Sequence, residues 1–227
     1  EILAIHKRAI WEIPEGLEYE EAAVMDPICN AYKAIAQRSG LLPGENVVIF
    51  GTGPLGLFSV QIAKIMGALN IVVVGLEEDV KVRFGVARQL GATEVVNGSA
   101  EDVVKRCQEI CGGSDSIGLV VDCAGANICL KQAIEMVRCN GEIVRVGMGF
   151  KPVGFSINDI SMKAVSIIGH MAYDATSWRN SLQLLAAGRI QVKPMITHRL
   201  GLSRWEEGFE AMADKEAIKV ILTYDFD

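Results

Sequence analysis

The feature that most narrows the folds open to this chain is a turn of three glycines set between a strand and a helix. Val47, Val48, Ile49 and Phe50 form a short apolar run of the kind buried in parallel sheets. Gly51-Thr52-Gly53-Pro54-Leu55-Gly56 follows at once in the G-x-G-x-x-G spacing, and an apolar helical pattern then runs on to Met66. Each glycine has a mechanical task. Gly51 permits the tight turn, Gly53 leaves bare backbone against which a pyrophosphate can rest, and Gly56 lets helix pack closely on strand. The helix start adds unpaired N–H groups and the positive end of a dipole. A glycine-rich turn used for packing alone is the plainer alternative; the strand and helix that bracket it favour a dinucleotide site.

The rest of the chain keeps the same rhythm. Strands at 71–75, 94–97, 117–123, 141–147 and 165–172 alternate with helices at 80–90, 100–110, 128–137 and 176–187. Alternation on this scale predicts an α/β fold: a doubly wound parallel six-stranded Rossmann sheet in the order 3-2-1-4-5-6, with right-handed crossovers. The 50% hydrophobic content suits a sheet covered on both faces. Residues 45–190 make up this dinucleotide-binding domain. Residues 1–44 read as a connector with helices arriving from another lobe. Acidic residues open one helix at Glu18, Asp26-Pro27 interrupts the pattern because Pro27 disfavours α geometry at Asp26, and a second helix spans 28–38. Residues 191–227 (strand 195–200, helix 203–213, strand 219–224) return toward that lobe. Glu1-Ile2-Leu3-Ala4-Ile5 looks like the middle of a strand, so a fragment of a longer protein is expected.

Charge and cysteine usage exclude several classes. A net charge of −6 without a basic cluster argues against a nucleic-acid partner. No apolar stretch approaches the roughly 18 residues of a membrane span, and no signal-peptide pattern is present. Cys107 and Cys111 have a helical spacing that could hold metal, yet no further ligand lies near them in sequence. Free thiols in a reducing, cytoplasmic setting are the better reading of the six cysteines.

A dinucleotide site usually places an acid at the end of the second strand, on the adenosine ribose. Here that position is Gly75, followed by Leu76-Glu77-Glu78-Asp79. Glu77 and Asp79 are the candidate ribose acceptors, although the three carboxylates could equally be a solvated helix start. Together they would repel a 2′-phosphate, which favours NAD; Lys81 and Arg83 keep NADP possible. Gly125, after the fourth strand, and Gly147 and Gly149, after the fifth, are candidate backbone contacts to ribose and nicotinamide, or simple turn glycines.

Several motifs recur in order: the glycine turn, Gly91-Ala92-Thr93, Val120-Val121-Asp122-Cys123-Ala124-Gly125 and Gly141-Glu142-Ile143-Val144-Arg145-Val146-Gly147. So do Ala217-Ile218-Lys219-Val220-Ile221-Leu222 and the upstream Glu20-Glu21-Ala22-Ala23-Val24-Met25-Asp26-Pro27. Over essentially its whole length the chain resembles the zinc-dependent medium-chain alcohol dehydrogenases, especially the sorbitol (polyol) and threonine dehydrogenase branch. The resemblance implies hydride transfer from a secondary alcohol to NAD(P), with a catalytic zinc polarising the substrate oxygen. It puts Asp26 at the zinc site, as ligand or outer partner, unless Asp26 merely caps the helix starting near Ile28. It puts Lys219 on the cofactor pyrophosphate, unless Lys219 is an exposed strand lysine.

In the family it resembles, the other zinc ligands, a cysteine and a His-Glu pair, lie in an N-terminal barrel-like lobe to which the terminal segments here would belong, as does the four-cysteine structural zinc. This chain has no His-Glu pair and no two cysteines separated by only two residues; His6, His170 and His198 are lone histidines. The expectation is a cofactor half with one metal ligand that does not turn over alone. The apolar edge strand 165–172 is expected to pair with its copy in a homodimer or homotetramer. A non-catalytic nucleotide-binding module, a zinc-independent reductase and an S-adenosylmethionine-dependent methyltransferase are the other readings. The methyltransferase fits least, because the glycine turn opens directly into a helix and the fourth and fifth strands carry dehydrogenase endings.

Overall fold

The valine- and isoleucine-rich runs lie side by side as parallel strands in a computed structural model that describes residues 4–224. The strands are β1 (Asn46–Phe50), β2 (Ile71–Gly75), β3 (Glu94–Asn97), β4 (Ile117–Asp122), β5 (Glu142–Arg145) and β6 (Ser166–Gly169). Their order is β3-β2-β1-β4-β5-β6, as the alternation predicts. Val48 of β1 sits in register with Val72 on one side and Val120 on the other. The chain thus leaves β1 toward one edge and returns at β4 toward the other. The crevice this reversal creates lies at the carboxyl ends of β1 and β4.

Every residue of β1, β2 and β4 is buried, which requires cover on both faces. After the short α1 (Tyr19–Ala22), the helices α2 (Met25–Tyr32), α3 (Pro54–Ile65) and α4 (Arg83–Leu90) share one core with the sheet, through Ile28, Leu57, Val73 and Leu90. On the other face α5 (Val103–Cys111) and α6 (Asn127–Met136) close over Val48, Phe50 and Ile143, with α7 (Ile157–Ser161) beside α6. The helix α8 (Ala175–Ala186) joins the first core through Leu185. Beyond it β7 (Ile196–Gly201), α9 (Trp205–Ala213) and β8 (Lys219–Thr223) form a parallel strand–helix–strand unit with its own two-stranded sheet. Ile196, Ile218 and Ile221 of this unit belong to the same core as α2 and α3. No described helix is long and apolar enough to cross a membrane.

Several local expectations are corrected. Asp26-Pro27 does not interrupt a helix: both lie in the first turn of α2, which starts at Met25. First-turn N–H groups have no partner within the helix, so the donor that Pro27 lacks is not missed. The helix continues into a π turn at Lys33–Gln37. The helix expected over 80–90 starts at Arg83, because Glu77–Asp79 first makes a 3-10 turn. The edge strand is Ser166–Gly169 and not 165–172. The unforeseen α7 is capped by Ser156, whose hydroxyl accepts from the Asn158 N–H at 3.2 Å. Of the opening run, residues 1–3 lie outside the described residues, and Ala4 and Ile5 are not in a strand.

One buried ion pair ties the carboxyl ends of β4 and β5 together. Asp122, with no exposed surface, accepts the N–H groups of Ala124 (3.0 Å) and Gly125 (2.9 Å) and pairs with Arg145. Arg145 also donates to the Gly125 carbonyl at 2.6 Å. Replacing Arg145 with Met leaves a buried carboxylate without its cation, and a loss of about 3 kcal/mol is expected. Urea unfolding reads it as a lower midpoint with an unchanged slope.

Candidate functional site

The end of β1 has the geometry a diphosphate needs. Gly51 turns with φ 102°, in the left-handed region, while its N–H still donates to the Val74 carbonyl at 2.8 Å. A Cβ on Gly56 would stand 2.0 Å from the Gly51 carbonyl oxygen, so α3 can start this close to β1 only with glycine there. Gly53, the N-cap of α3, is the opposite case: a Cβ would meet nothing within 4 Å. Pro54 occupies the first turn, and no side chain caps the helix. Bare main chain and an uncapped helix start therefore face open space together, which fits an anionic phosphate group.

Clefts open on both sides of this turn. One, of about 370 Å³, is lined by Thr52, Gly53, Gly75, Asp79, Arg83 and Lys215. The other, of about 410 Å³, is lined by Asp26, Pro54, Leu55, Val146, His170 and Lys219. Asp26 and Lys219, far apart in sequence, thus line one cleft.

The acids after β2 separate into three fates. A Cβ on Gly75 would fall 2.9 Å from Asp79 Oδ2 and 2.8 Å from Thr52 Cγ2. Asp79 folds back into this space, where its carboxylate accepts the Leu76 N–H at 2.8 Å and meets Arg83 at 3.3 Å. It is only 5% exposed, so it is no solvated helix start. A carboxylate does stand at the end of β2, delivered from four residues downstream. Glu77 points elsewhere: it is exposed, accepts from Asn97 Nδ2 at 2.5 Å and lines neither cleft. Glu78 pairs with Lys215, which holds its carboxyl below the usual carboxylate range.

Gly125 and Gly147 answer to each other. A Cβ on Gly147 would stand 2.3 Å from the Gly125 nitrogen, and one on Gly125 (φ 77°) 2.4 Å from the Met148 carbonyl oxygen. Neither lines either cleft, so the packing of the β4 and β5 loops accounts for both glycines.

Asp26 does not cap a helix beginning near Ile28. It lies inside α2, where its Oδ1 accepts from Asn30 Nδ2 at 3.3 Å. Asn30 Oδ1 in turn meets His170 Nε2 at 3.2 Å. His170 is therefore part of the cleft, a placement its isolation in sequence concealed. Its Nδ1 is buried without a partner, and burial, then Lys33 and Arg38, push its pKa below the ordinary value.

A zinc site takes three protein ligands plus water or substrate. Among the described residues no three His, Cys, Asp or Glu side chains are grouped to hold a metal ion, so they do not fit a complete zinc site. Cys107 and Cys111 lie buried on α5, and burial pushes their thiols up to about 12 and about 11. No third such side chain is grouped with them among the described residues, so they do not make a metal site.

Two alanine substitutions separate the tasks of the glycines. Gly56→Ala, forced against the Gly51 carbonyl, is expected to lose about 2 kcal/mol of stability. Gly53→Ala, which enters open space, is expected to unfold within about 0.5 kcal/mol of the parent. Urea titration of both variants checks this.

Comparison with known proteins agrees with the geometry. Residues 54–187 match the zinc-binding dehydrogenase family. The chain is 73% identical over 227 residues to the uncharacterized zinc-type alcohol dehydrogenase-like protein YdjL of Escherichia coli (strain K12), covering all of this chain and 63% of that protein. It is 30% identical over 218 residues to a sorbitol dehydrogenase of Halalkalibacterium halodurans, covering 96% of this chain and 62% of that protein. The solved structure of alcohol dehydrogenase TADH from Thermus sp. ATN1 superposes with a TM-score of 0.86 at 30% identity, covering 93% of this chain and 62% of that one. The chain thus spans less than two thirds of the length of each of these relatives. By sequence and by fold, it belongs to the zinc-binding dehydrogenase family.

Proposed function

We propose that this chain is the cofactor-binding part of an oxidoreductase that passes hydride from a secondary alcohol or polyol to NAD. The observation that carries the reading is Gly53, open to solvent at the uncapped start of α3 with a cleft on either side. A dinucleotide laid across that start would rest its pyrophosphate on the N–H groups of Leu55 and Gly56, with Lys219 as the neighbouring cation. Asp79 would accept the adenosine ribose hydroxyls, and its negative charge supports NAD over NADP. The nicotinamide would then lie in the cleft of Asp26 and His170, which is where the alcohol must come. Zinc enters only as far as Asp26: a single exposed carboxylate is one ligand where three are needed, so turnover requires protein beyond these residues. The free cysteines support a reducing, cytoplasmic setting.

Titration with NAD and NADP, followed by calorimetry, tests the reading. NAD is expected to bind more tightly than NADP, and Gly53→Ala to weaken both by about tenfold or more. Asp79→Ala is expected to erase the preference for NAD, whereas Glu77→Ala leaves it intact. Unchanged binding in Gly53→Ala would sink the assignment.

We further propose that β6 pairs with its copy in a second subunit. It hydrogen-bonds to β5 alone among the described strands, and Ser166, Ile167 and Gly169 are exposed. An apolar open edge of this kind is ordinarily paired or covered. Sedimentation of the chain is expected to read a dimer, and Ile167→Lys, which places a charge on that edge, a monomer. A monomeric parent would refute the pairing.

A further inference from the structure

The cleft beside Gly75 carries one cation that comes from outside the six-stranded sheet. Lys215 belongs to the loop between α9 and β8, yet it lines this cleft with Asp79 and Arg83. Its backbone is left-handed at φ 61°, a conformation that a residue with a side chain adopts only when its surroundings enforce it. They do so here. Arg83 Nη2 donates to the carbonyl of Ala217 at 2.8 Å, and Ala217 is wholly buried.

The loop is anchored, but its charge is exchangeable. The Lys215 ammonium pairs with Glu78, and the two side chains are 42% and 44% exposed. A lone ion pair this open to water adds little stability and is readily replaced by a better partner. The neighbouring acids offer no competition. Asp79 is engaged by Arg83 and the Leu76 N–H, and Glu77 is turned to Asn97. Of the three carboxylates after β2, Asp79 alone lines the cleft, and it does so beside Arg83. Arg83 even keeps a buried Nε without a partner on the same wall.

We infer that Lys215 is a selectivity residue for the adenosine end of the cofactor, and that Glu78 holds it in check. The inference rests on the dinucleotide reading above. With Glu78 in place Lys215 is neutralised and the site favours a free ribose 2′-hydroxyl. A 2′-phosphate brings nearly two negative charges and three acceptor oxygens, so it can displace the Glu78 carboxylate, which swings to solvent. Beside Asp79, a second discriminating charge is thus supplied by the C-terminal unit.

The test uses the whole chain with two probes, 5′-ADP and 2′,5′-ADP, which carry the adenosine ends of NAD and NADP. Calorimetry on Glu78→Gln is expected to show 2′,5′-ADP binding about tenfold tighter, the worth of one charge-assisted hydrogen bond, with 5′-ADP changed by less than about twofold. Lys215→Gln is expected to weaken 2′,5′-ADP alone, and the double variant to behave like Lys215→Gln. Equal shifts of both probes in Lys215→Gln, or no gain for 2′,5′-ADP in Glu78→Gln, overturn the inference while leaving the dinucleotide site intact. If the parent chain binds neither probe, both readings fall together. All these substitutions are at exposed side chains, and matching urea midpoints confirm that the fold is unchanged.

Discussion

The site depends on how near Gly56 lies to the carbonyl of Gly51, where no side chain fits. That contact sets the start of α3 directly over the end of β1. Because the helix begins there, its first N–H groups open onto the crevice and not into the core. Because Gly53 is its N-cap and Pro54 its first residue, no side chain caps those groups. A single steric constraint thus leaves uncapped main chain facing open space beside an otherwise closely packed sheet, a geometry that fits an anion.

The neighbouring wall depends on a different kind of force. Asp122 and Arg145 are far apart in the chain but join the ends of β4 and β5 across the floor of the crevice. Their pairing brings the two following loops so near that Gly125 and Gly147 have no room for side chains. Charge fixes the loops, and the glycines are the consequence. In this protein the residues that shape the crevice and those that line its clefts are largely different sets.

Much of the fold could be read from the chain alone, because β-branched runs and glycine-ended helices are local signals. Strand order followed from alternation and crossover handedness without any knowledge of side-chain contacts. The glycine turn was legible for the same reason: its chemistry is written in consecutive residues. What escaped was set by distant partners. Gly125 and Gly147 carry the same letters whether they face a ligand or each other. Glu77 and Asp79 look equivalent until the 3-10 turn buries one and exposes the other. His170 gives no sign in sequence that Asn30 lies 3.2 Å from its ring. Pro27 misled because its usual effect on the preceding residue is waived in a helix's first turn.

The strand–helix–strand unit at the C-terminus has a consequence for how the two clefts relate. Lys215 lines one of them and Lys219, on β8, the other, with the buried Ala217 and Ile218 between them. A bound molecule spanning both would be gripped at each end by one short, rigid stretch of main chain. Any displacement of that stretch would loosen both grips at once, so the two ends of such a molecule could not be released independently.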